Sequence, residues 1–547
     1  MNSRKDFGVL YGQKTTDDAL LIYSSYEDSK ASPQIGDFIV LTPRDEDGIK
    51  FLARVEAEVY DEDPIFRGQD KTLVAVHFAR IAERELSERD KQKIFSYTYN
   101  VRILGTFTGD GKDFTTAVRK LPNVGYHARF LTPREINNIL NRNNVNGIPI
   151  GYLCVGEDIK TFDGERNEQK IKAEILFDIM RLKNSRTMIF AQSGYGKTNL
   201  TKVLVYHLMG KKDFGKLIFD LNGEYFLEGT STIGLGDIEH QIVRENLVVY
   251  TDRKVPSKYE GRFTNGGKVL LDMVSNLTVG DILRFGTGFT EVMQSFLLYL
   301  DDEGVGNFIQ KINEYANNPE KLHQDYSDFF GKTKPDASAR KTIMGIKKRI
   351  SHLIEEGKGL HSSQSSLIND VLNHLNEGKT VIIDLSLKDS VDASIISSIL
   401  VRELFDHNKK HFTSGNAKNI INTVIFIEEA QNVLSNELVK SNVNPFVRLA
   451  KEGRKFGLGL VAVTQRPSAI SEEIRTQADN FFVFHMGNTD DIKALVQSNI
   501  NYDGVISKFI QRETIRGNLY LVSSDQPFVL PVRVIRFEDL ISKQAKP

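Results

Sequence analysis

Several features that would narrow the class of this protein are scarce or absent in its sequence. The 547 residues include a single cysteine, Cys154, which excludes an intrachain disulfide framework and suits a reducing cytosol. The sequence has no run of about 18 apolar residues, and its first residues lack the apolar core of a signal peptide. We therefore expect a cytoplasmic protein with no membrane partner. The net charge of −1 supplies no global basic field, so any nucleic-acid surface must be local or built by oligomerisation.

The length is sufficient for more than one domain, and residues 1–150 differ in character from the rest. Short apolar runs separated by polar turns lie at Leu20–Tyr23, Asp37–Leu41, Phe51–Val55, Leu73–Phe78 and Tyr97–Gly105. This spacing predicts a small β-barrel or sandwich, followed by a linker that ends near residue 150. The region shows no catalytic motif and no histidine cluster, so we expect it to make partner contacts rather than to catalyse a reaction.

Residues 151–535 alternate apolar strands with helical segments, which predicts an α/β core with a parallel-rich sheet. A mostly helical stretch at about 279–376 is expected to form an insertion in that core, and residues 536–547 a short tail. Within the insertion, residues 331–350 hold seven basic residues against one acid, Asp336. We favour a solvated helix face for this segment over a contact with DNA.

The most informative stretch is residues 186–210, with the sequence RTMIFAQSGYGKTNLTKVLVYHLMG. The apolar run Thr187–Phe190 predicts a buried strand, a turn of small and polar residues follows it, and an amphipathic run begins at Lys197. A strand, a glycine loop and a helix in this order are the context of a phosphate-binding loop. Ala191 stands where the pattern usually begins with glycine, and alanine is compatible with an ordinary backbone angle there. A chance Gly-Lys-Thr in a loop is the alternative, which the strand and helix disfavour.

The chemistry of such a loop assigns a role to each residue type. Lys197 would reach the β- and γ-phosphates of ATP, and the Thr198 hydroxyl would ligate Mg²⁺. Gly194 and Gly196 allow unusual backbone angles and a close approach to phosphate. The residues expected to bind the nucleotide are Ser193, Gly194, Tyr195, Gly196, Lys197, Thr198 and Asn199.

A second signal is an acidic pair at the end of an apolar strand, Thr423–Ile427, which delivers Glu428 and Glu429 together. Hydrolysis of a phosphoanhydride needs one acid for the Mg²⁺ shell and one for the attacking water, and we assign Glu428 to the metal and Glu429 to the water. Gln465, at the end of a later strand, could sense the γ-phosphate. Arg454, in a charged turn, could stabilise the transferring phosphoryl group in a neighbouring subunit. The alternatives are surface acids and a surface ion pair.

Together these residues resemble the HerA family, in the HerA/FtsK branch of RecA-like ATPases. The resemblance rests on AQSGYGKT (191–198), DLNGEY (220–225), VIFIEEAQ (424–431), EGRKFGLGL (452–460) and TQRP (464–467). It implies a RecA-like P-loop core behind an N-terminal HAS barrel. It also implies a homohexamer around duplex DNA, with ATP between neighbours and the arginine finger given in trans. The roles of Lys197, Thr198, Glu428, Glu429, Gln465 and Arg454 carry over to these positions.

The family further implies an effector partner, either a NurA-like nuclease in end resection or, in bacterial anti-phage defence, a nuclease or a sirtuin-like NAD hydrolase. Three positions depart from the family pattern: Ala191, Gln431 where histidine is usual, and His485 where arginine is common. These departures favour a bacterial defence version over a repair motor.

Two functions therefore stay open. The first is an ATP-hydrolysing ring that translocates duplex DNA and works with a nuclease or other effector. The second is an ATP-binding hexameric platform that holds and switches an effector with little or no translocation. For pore contacts with DNA, we expect the stretch 435–445, which contains Lys440.

Overall fold

The computed structural model describes residues 6–13, 19–25, 33–44, 48–61, 96–142, 147–163, 170–228, 232–285, 288–302, 308–318, 321, 337–356, 359–439, 444–524 and 526–544. The chain divides into two compact units. The first comprises Met1–Asp178, Phe482–Ile492 and Asn499–Ile535, and the second comprises Ile179–Phe481, Lys493–Ser498 and Arg536–Pro547. The domain limits at residues 150 and 535 stay a prediction from the sequence.

The first unit contains a closed antiparallel barrel with the strand order β1-β2-β5-β4-β3-β6. Its strands are β1 (Gly8–Gln13), β2 (Leu20–Ser25), β3 (Phe38–Thr42), β4 (Lys50–Asp61), β5 (Ser96–Phe107) and β6 (His127–Phe130). Alternate side chains, such as Leu10, Ile22 and Tyr99, point inward and form its core. Closure pairs every edge, so the barrel needs no cover. The predicted run Leu73–Phe78 lies outside the described residues.

A short helix, α1 (Pro133–Glu135), follows the barrel and continues as a single π-turn at Ile136–Leu140. Thr132 and Glu135 form a reciprocal capping box at its start. The Glu135 carboxylate also accepts two hydrogen bonds from the Arg129 guanidinium, at 2.7 and 2.8 Å. This buried bidentate pair ties the helix to strand β6.

The rest of the first unit holds sheet strands in the order β11-β7-β21-β20, with antiparallel pairing between β11 and β7, β7 and β21, and β21 and β20. The elements are β7 (Gly147–Val155), β8 (Asp158–Ile159), β9 (Thr161–Asp163), β10 (Lys170–Lys172), β11 (Glu174–Asp178), α16 (Val505–Arg512), β20 (Asn518–Ser523) and β21 (Gln526–Val534). The lone Cys154 is buried in β7, and burial raises the pKa of its thiol to about 12.

The predicted linker is wrong at its end, because residues 147–151 belong to β7. Glycine and proline in this stretch suggested a loop, yet Gly151 pairs with Val534 on β21. A Cβ at Gly151 would lie 2.3 Å from the carbonyl oxygen of Arg533. The glycine is therefore required by a close approach of two backbones inside the sheet.

The second unit is built on a parallel sheet with the order β12-β18-β17-β13-β16-β14-β15. Its strands are β12 (Arg186–Phe190), β13 (Gly215–Asp220), β14 (Leu247–Tyr250), β15 (Thr264–Gly267), β16 (Thr380–Asp384), β17 (Thr423–Ile427) and β18 (Leu458–Thr464). All residues of β13, β16, β17 and β18 are buried, as expected for parallel strands covered on both faces. Two elements cross the division between the units, β19 (Asn480–Val483) and α15 (Thr489–Ser498).

Helices connect these strands and form the predicted insertion. They are α2 (Lys197–Met209), α3 (Gln241–Asn246), α4 (Met273–Asn276), α5 (Val279–Phe285), α6 (Glu291–Asp302), α7 (Phe308–Asn317), α8 (Ala337–Ile354), α9 (Leu367–Asn376), α10 (Ser390–Thr413), α11 (Gln431–Leu434), α12 (Asn436–Val439), α13 (Pro445–Glu452), α14 (Glu472–Arg475) and α17 (Phe537–Gln544). Among the described helices, none combines the length and apolar character needed to cross a membrane. The predicted fold class, an α/β ATPase core with a helical insertion and an N-terminal β-barrel, is confirmed.

Burial of His207 in α2 makes the free energy of unfolding depend on pH in the acidic range. Burial lowers the pKa of His207 from 6.5 to about 4, and its Nε2 has no hydrogen-bond partner among the described residues. Between these two values the unfolded chain binds a proton that the folded chain does not, so stability falls as pH falls. The loss is at most about 1.4 kcal/mol per pH unit.

We expect His207→Phe to remove this component from thermal unfolding curves measured between pH 6.5 and 4. The exposed His352 offers a control, since His352→Phe should leave the pH dependence as it is. An unchanged acid dependence in the His207 variant would contradict this assignment.

Candidate active site

Four neighbouring strands bring the predicted site residues to one edge of the parallel sheet. In the order β12-β18-β17-β13, they lead into the glycine loop, Gln465, the pair Glu428–Glu429 and the turn 221–225. The carboxyl ends of parallel strands share one edge, and α/β proteins bind ligands there. Segments more than 200 residues apart in sequence are therefore adjacent at this edge.

The glycine loop has the backbone that phosphate binding requires. Gly194 and Gly196 have φ angles of +81° and +112°, which residues with a Cβ rarely adopt. Gly196 caps α2 without a side-chain hydrogen bond, so the first turn of the helix presents backbone N–H groups to a ligand. Ala191 is buried and does not belong to the described residues with positive φ. Its backbone is therefore ordinary, and alanine fits where the motif usually has glycine.

The other residues of the loop have different surroundings. Ser193 is exposed, and Tyr195 is half-buried. The side-chain oxygen of Asn199 accepts a hydrogen bond from the backbone N–H of Phe537, at 2.8 Å. This bond joins α2 to α17, so the side chain of Asn199 holds the C-terminal helix.

Lys197 lies among acidic groups at the start of α2. Its Nζ is 4.0 Å from Oε1 of Glu429. The Thr198 hydroxyl donates a hydrogen bond to Oε2 of Glu224, at 2.8 Å. Burial lowers the pKa of Lys197, while the charges of Glu429, Glu428 and Glu224 oppose that shift. Carboxyl groups outnumber ammonium groups at this site, which suits a bound cation.

Glu428 is buried, and protein donors contact both of its oxygens. The Tyr225 hydroxyl donates to Oε1 at 2.8 Å, and the Asn222 side-chain amide donates to Oε2 at 3.1 Å. Burial raises the pKa of Glu428 to about 8, and the charge of Asp220 adds to the rise. A cation beside this pair would favour the ionised form.

Asp220 fixes the turn that carries these donors. Its carboxylate accepts hydrogen bonds from the backbone N–H groups of Gly223 at 2.8 Å and Tyr225 at 3.0 Å. Burial raises the pKa of Asp220 to about 6, although these N–H donors act in the opposite direction. The turn 221–225 is therefore shaped by one buried side chain.

Glu429 has a strained backbone and a clamped side chain. Its φ angle is +45°, in the left-handed region, which costs a non-glycine residue about 1–3 kcal/mol. Gln465 Nε2 donates to Oε1 at 2.8 Å, and Gln431 Nε2 donates to Oε2 at 2.7 Å. Gln431 in turn accepts a hydrogen bond from the Thr464 hydroxyl, at 2.5 Å. The carboxylate is therefore held on both oxygens, which fixes its plane beside Lys197.

Comparisons with known proteins agree with this geometry. Residues 154–404 match the family described as "Helicase HerA, central domain". The DNA double-strand break repair helicase HerA of Sulfolobus acidocaldarius is 23% identical over 94% of this chain and 90% of its own length. The HerA of Sulfurisphaera tokodaii, with the same description, is 26% identical over 70% of this chain and 67% of its own.

The chain is therefore similar to the HerA family over its central part. Together with the phosphate-binding loop, this similarity identifies the chain as a P-loop ATPase. Residues 339–489 also match the family described as "Zonular occludens toxin (Zot)". Among solved structures, the bacterial conjugative coupling protein TrwB is similar at 12% identity and a TM-score of 0.42, covering 71% of this chain and 95% of that one.

Arg454 is the one predicted catalytic residue that the structure does not bring to the edge with Lys197. It lies in the turn Gly453–Phe456, before β18 begins, and is 70% exposed. Its Nη1 is 3.9 Å from Oδ1 of Asp479. The other oxygen of that carboxylate, Oδ2, accepts a hydrogen bond from the backbone N–H of Arg186 at the start of β12. The five residues of β12 separate the two edges by about 16 Å. Arg454 therefore cannot reach the phosphate loop of its own subunit.

Two further residues were noted in the sequence, His485 and Lys440. In the first unit, Nδ1 of His485 lies 3.1 Å from the carbonyl oxygen of Ile510. Lys440, expected to contact DNA, lies outside the described residues. The pore contact of the stretch 435–445 stays a prediction.

The sequence assigns no role in the site to Asn222, Tyr225 or Gln431, and for Glu224 it indicates only a position just past a strand, where α/β proteins bind ligands. The segment DLNGEY (220–225) could have indicated Asn222, Glu224 and Tyr225, because it ends β13 and places polar side chains at the edge of the sheet where ligands bind. The partners of Glu224, Asn222 and Tyr225 cannot be predicted from the sequence, because their side-chain hydrogen bonds join residues that follow different strands. In the sequence, Gln431 stands out only as a departure from the family pattern.

We expect Gln431→Ala to lower kcat for ATP hydrolysis by roughly 10- to 100-fold with KM little changed. Loss of one hydrogen bond to a charged group removes about 1.5–3 kcal/mol and releases one oxygen of Glu429. Gln431→His should retain most of the activity, because an imidazole N–H can also donate to the carboxylate. Equal losses in both variants, measured by steady-state kinetics, would contradict a positioning role for Gln431.

Proposed function

We propose that this chain hydrolyses ATP to translocate duplex DNA, and that it does so as a homohexameric ring. The observation that carries the proposal is the convergence of Lys197, Thr198, Glu428 and Glu429 at the ligand edge of one parallel sheet. DNA as the substrate is supported by the relatives, which are described as DNA double-strand break repair helicases.

In the proposed reaction, water attacks the γ-phosphorus, the bond to the bridging oxygen breaks, and ADP and phosphate form. Glu429 accepts a proton from the water. Gln431 and Gln465 donate to one lone pair on each oxygen of Glu429, so each oxygen retains another for that proton. Lys197 and the N–H groups of the loop stabilise the negative charge on the phosphate oxygens.

The residues present fit Mg²⁺ that is delivered with the nucleotide. Thr198, Glu224 and Glu428 offer the hard oxygen donors that Mg²⁺ prefers. Within the described part of the chain, no group of three or more His, Cys, Asp or Glu side chains is arranged to hold a metal ion alone. This fits an ion that takes one or two protein ligands together with phosphates and water. Thr198 and Glu428 would hold the ion, which would neutralise charge on the β- and γ-phosphates.

Ring assembly would complete the site. Arg454 is exposed and lies at the opposite edge of the sheet from the phosphate loop, and both observations support a role in a neighbouring subunit. In the ring, Arg454 of one subunit would contact the phosphoryl group bound by the next, as arginine fingers do.

The proposed function includes a partner protein, the effector, on which the ring would act. We propose that the ring works with a nuclease or a sirtuin-like enzyme, and that it serves in anti-phage defence. Exposed Val9, Tyr11 and Tyr23 on β1 and β2 support the barrel as the docking element. The chain is only 23–26% identical to the repair helicases above, which is compatible with a role other than DNA repair. Recovery of the partner by a chain that lacks residues 1–140 would contradict docking through the barrel.

The test of the proposed function is ATP hydrolysis by the purified chain, with and without linear duplex DNA. We expect DNA to raise the rate and the Glu429→Gln variant to lack activity in both conditions. An ATP hydrolysis rate that is the same with and without DNA, but is lost in the variant, would favour the platform, in which the ring holds and switches its effector.

A further inference from the structure

We propose that the exposed face of α8 (Ala337–Ile354), in the helical insertion, is a phosphate-backbone contact for duplex DNA, separate from the predicted pore stretch 435–445. The inference rests on the proposed function, since it presumes that the ring acts on DNA. It differs from the interpretation of residues 331–350 from the sequence alone, which favoured a solvated helix face over a contact with DNA.

One face of α8 is committed to the core of the insertion. Its buried residues are Ala339, Thr342, Ile343, Ile346, Ile350 and Leu353. This spacing of three and four residues defines a single apolar stripe. The orientation of the helix is therefore fixed, and so is the direction in which its other side chains point.

The opposite face carries a concentrated positive charge. Arg340, Lys341 and Lys348 are exposed, and Lys347 is half-buried beside them. None of these four side chains forms an ion pair with another residue in the described part of the chain. Arg349 differs, because its guanidinium donates to the carbonyl oxygens of Gly288 at 2.6 Å and Gly345 at 3.0 Å. We count Arg349 as structural and the other four as the "α8 basic face".

Composition argues against a merely solvated surface. Solvent-exposed helices commonly mix acids with lysines, because pairs at i and i+4 stabilise them. The 18 residues of α8 contain no aspartate and no glutamate. Like charges gathered without counter-charge destabilise a helix slightly, so the α8 basic face is better explained by an external polyanion.

The dimensions suit a nucleic-acid backbone. Arg340 and Lys347 are seven residues apart, as are Lys341 and Lys348, which places them about 10.5 Å apart along the helix axis. Duplex DNA carries one negative charge per about 1.7 Å, so a length of 10.5 Å presents about six phosphates. Four flexible cationic side chains can each reach one of them. Such contacts would be independent of base sequence.

The test compares two variants of the full chain that lose the same charge. One replaces the α8 basic face (Arg340→Gln, Lys341→Gln, Lys347→Gln and Lys348→Gln). The control replaces four exposed lysines of the same unit (Lys254→Gln, Lys409→Gln, Lys410→Gln and Lys418→Gln). Binding to a blunt duplex of random sequence is measured over a range of salt concentrations, with ring assembly followed by sedimentation.

We expect the slope of log K against log salt to become shallower by about 3.6 for each subunit whose α8 contacts the duplex, at about 0.9 for each of four contacts. The control should keep the wild-type slope, and ATP hydrolysis without DNA should be the same in both. A wild-type slope in the α8 variant would overturn the inference and leave the proposed function intact. Loss of ring assembly with an unchanged slope would also overturn it and assign the face to a neighbouring subunit. Failure of the wild-type chain to bind duplex DNA would overturn both proposals.

Discussion

Replacing Glu429 with glutamine is expected to lower kcat for ATP hydrolysis by roughly 10²- to 10⁴-fold, the usual contribution of a general base. An amide occupies the same space but cannot accept a proton from water. It would also place an NH₂ group against one of the two amide donors, Gln431 or Gln465, which now contact the carboxylate at 2.7 and 2.8 Å. Nucleotide binding should persist, because the glycine loop and Lys197 are unchanged.

Steady-state kinetics and nucleotide titration of the same preparation separate these effects. Glu472→Gln supplies a matched control, since this acid is exposed on α14 and belongs neither to the site nor to the predicted pore stretch. Its kcat should equal that of the wild type. A Glu429→Gln enzyme that retained kcat within a few-fold would exclude Glu429 as the base.

The second large effect is expected at Arg454, whose replacement by alanine should lower kcat by roughly 10³- to 10⁵-fold, as for arginine fingers elsewhere. Its position at the amino edge of the sheet, beside Asp479, rules out a contact with ATP bound to its own subunit. The loss can therefore arise only if a neighbouring subunit receives the arginine. Stability should change little, because the side chain is 70% exposed and its one ion pair is long.

Mixed rings distinguish this mechanism from a local defect. Arg454→Ala subunits retain Glu429, and Glu429→Gln subunits retain Arg454. In a random 1:1 mixture, about one interface in four (one half times one half) combines both intact residues. ATP hydrolysis should thus reappear at about a quarter of the wild-type rate. No recovery in rings shown to be mixed would refute action in trans.

The sequence was most informative where a function depends on one continuous segment. The phosphate-binding loop and the acidic pair could each be recognised because a short apolar strand leads directly into polar residues. The same local pattern located most of the barrel strands. The closed strand order of that barrel could not be predicted from local sequence, because β1 pairs with β6 across more than 100 residues.

Contacts between segments that are distant in the sequence could not be predicted. Residues 147–151 have the composition of a linker, but pairing with β11 and β21 makes them part of a strand. Likewise, Gln431 and Thr464 are polar residues on separate segments until the parallel order β17-β18 makes them neighbours. The left-handed φ of Glu429 has no sequence signature at all, because glutamate is not a residue that favours it.

The central claim is that ATP hydrolysis drives movement along duplex DNA. Displacement of a third strand from a DNA triplex tests it most directly, because a motor that advances along the duplex must strip that strand. We predict displacement by the wild-type chain with ATP, and none by Glu429→Gln or with a non-hydrolysable analogue. Continued ATP hydrolysis without displacement would contradict translocation and leave the ring as a platform for its effector.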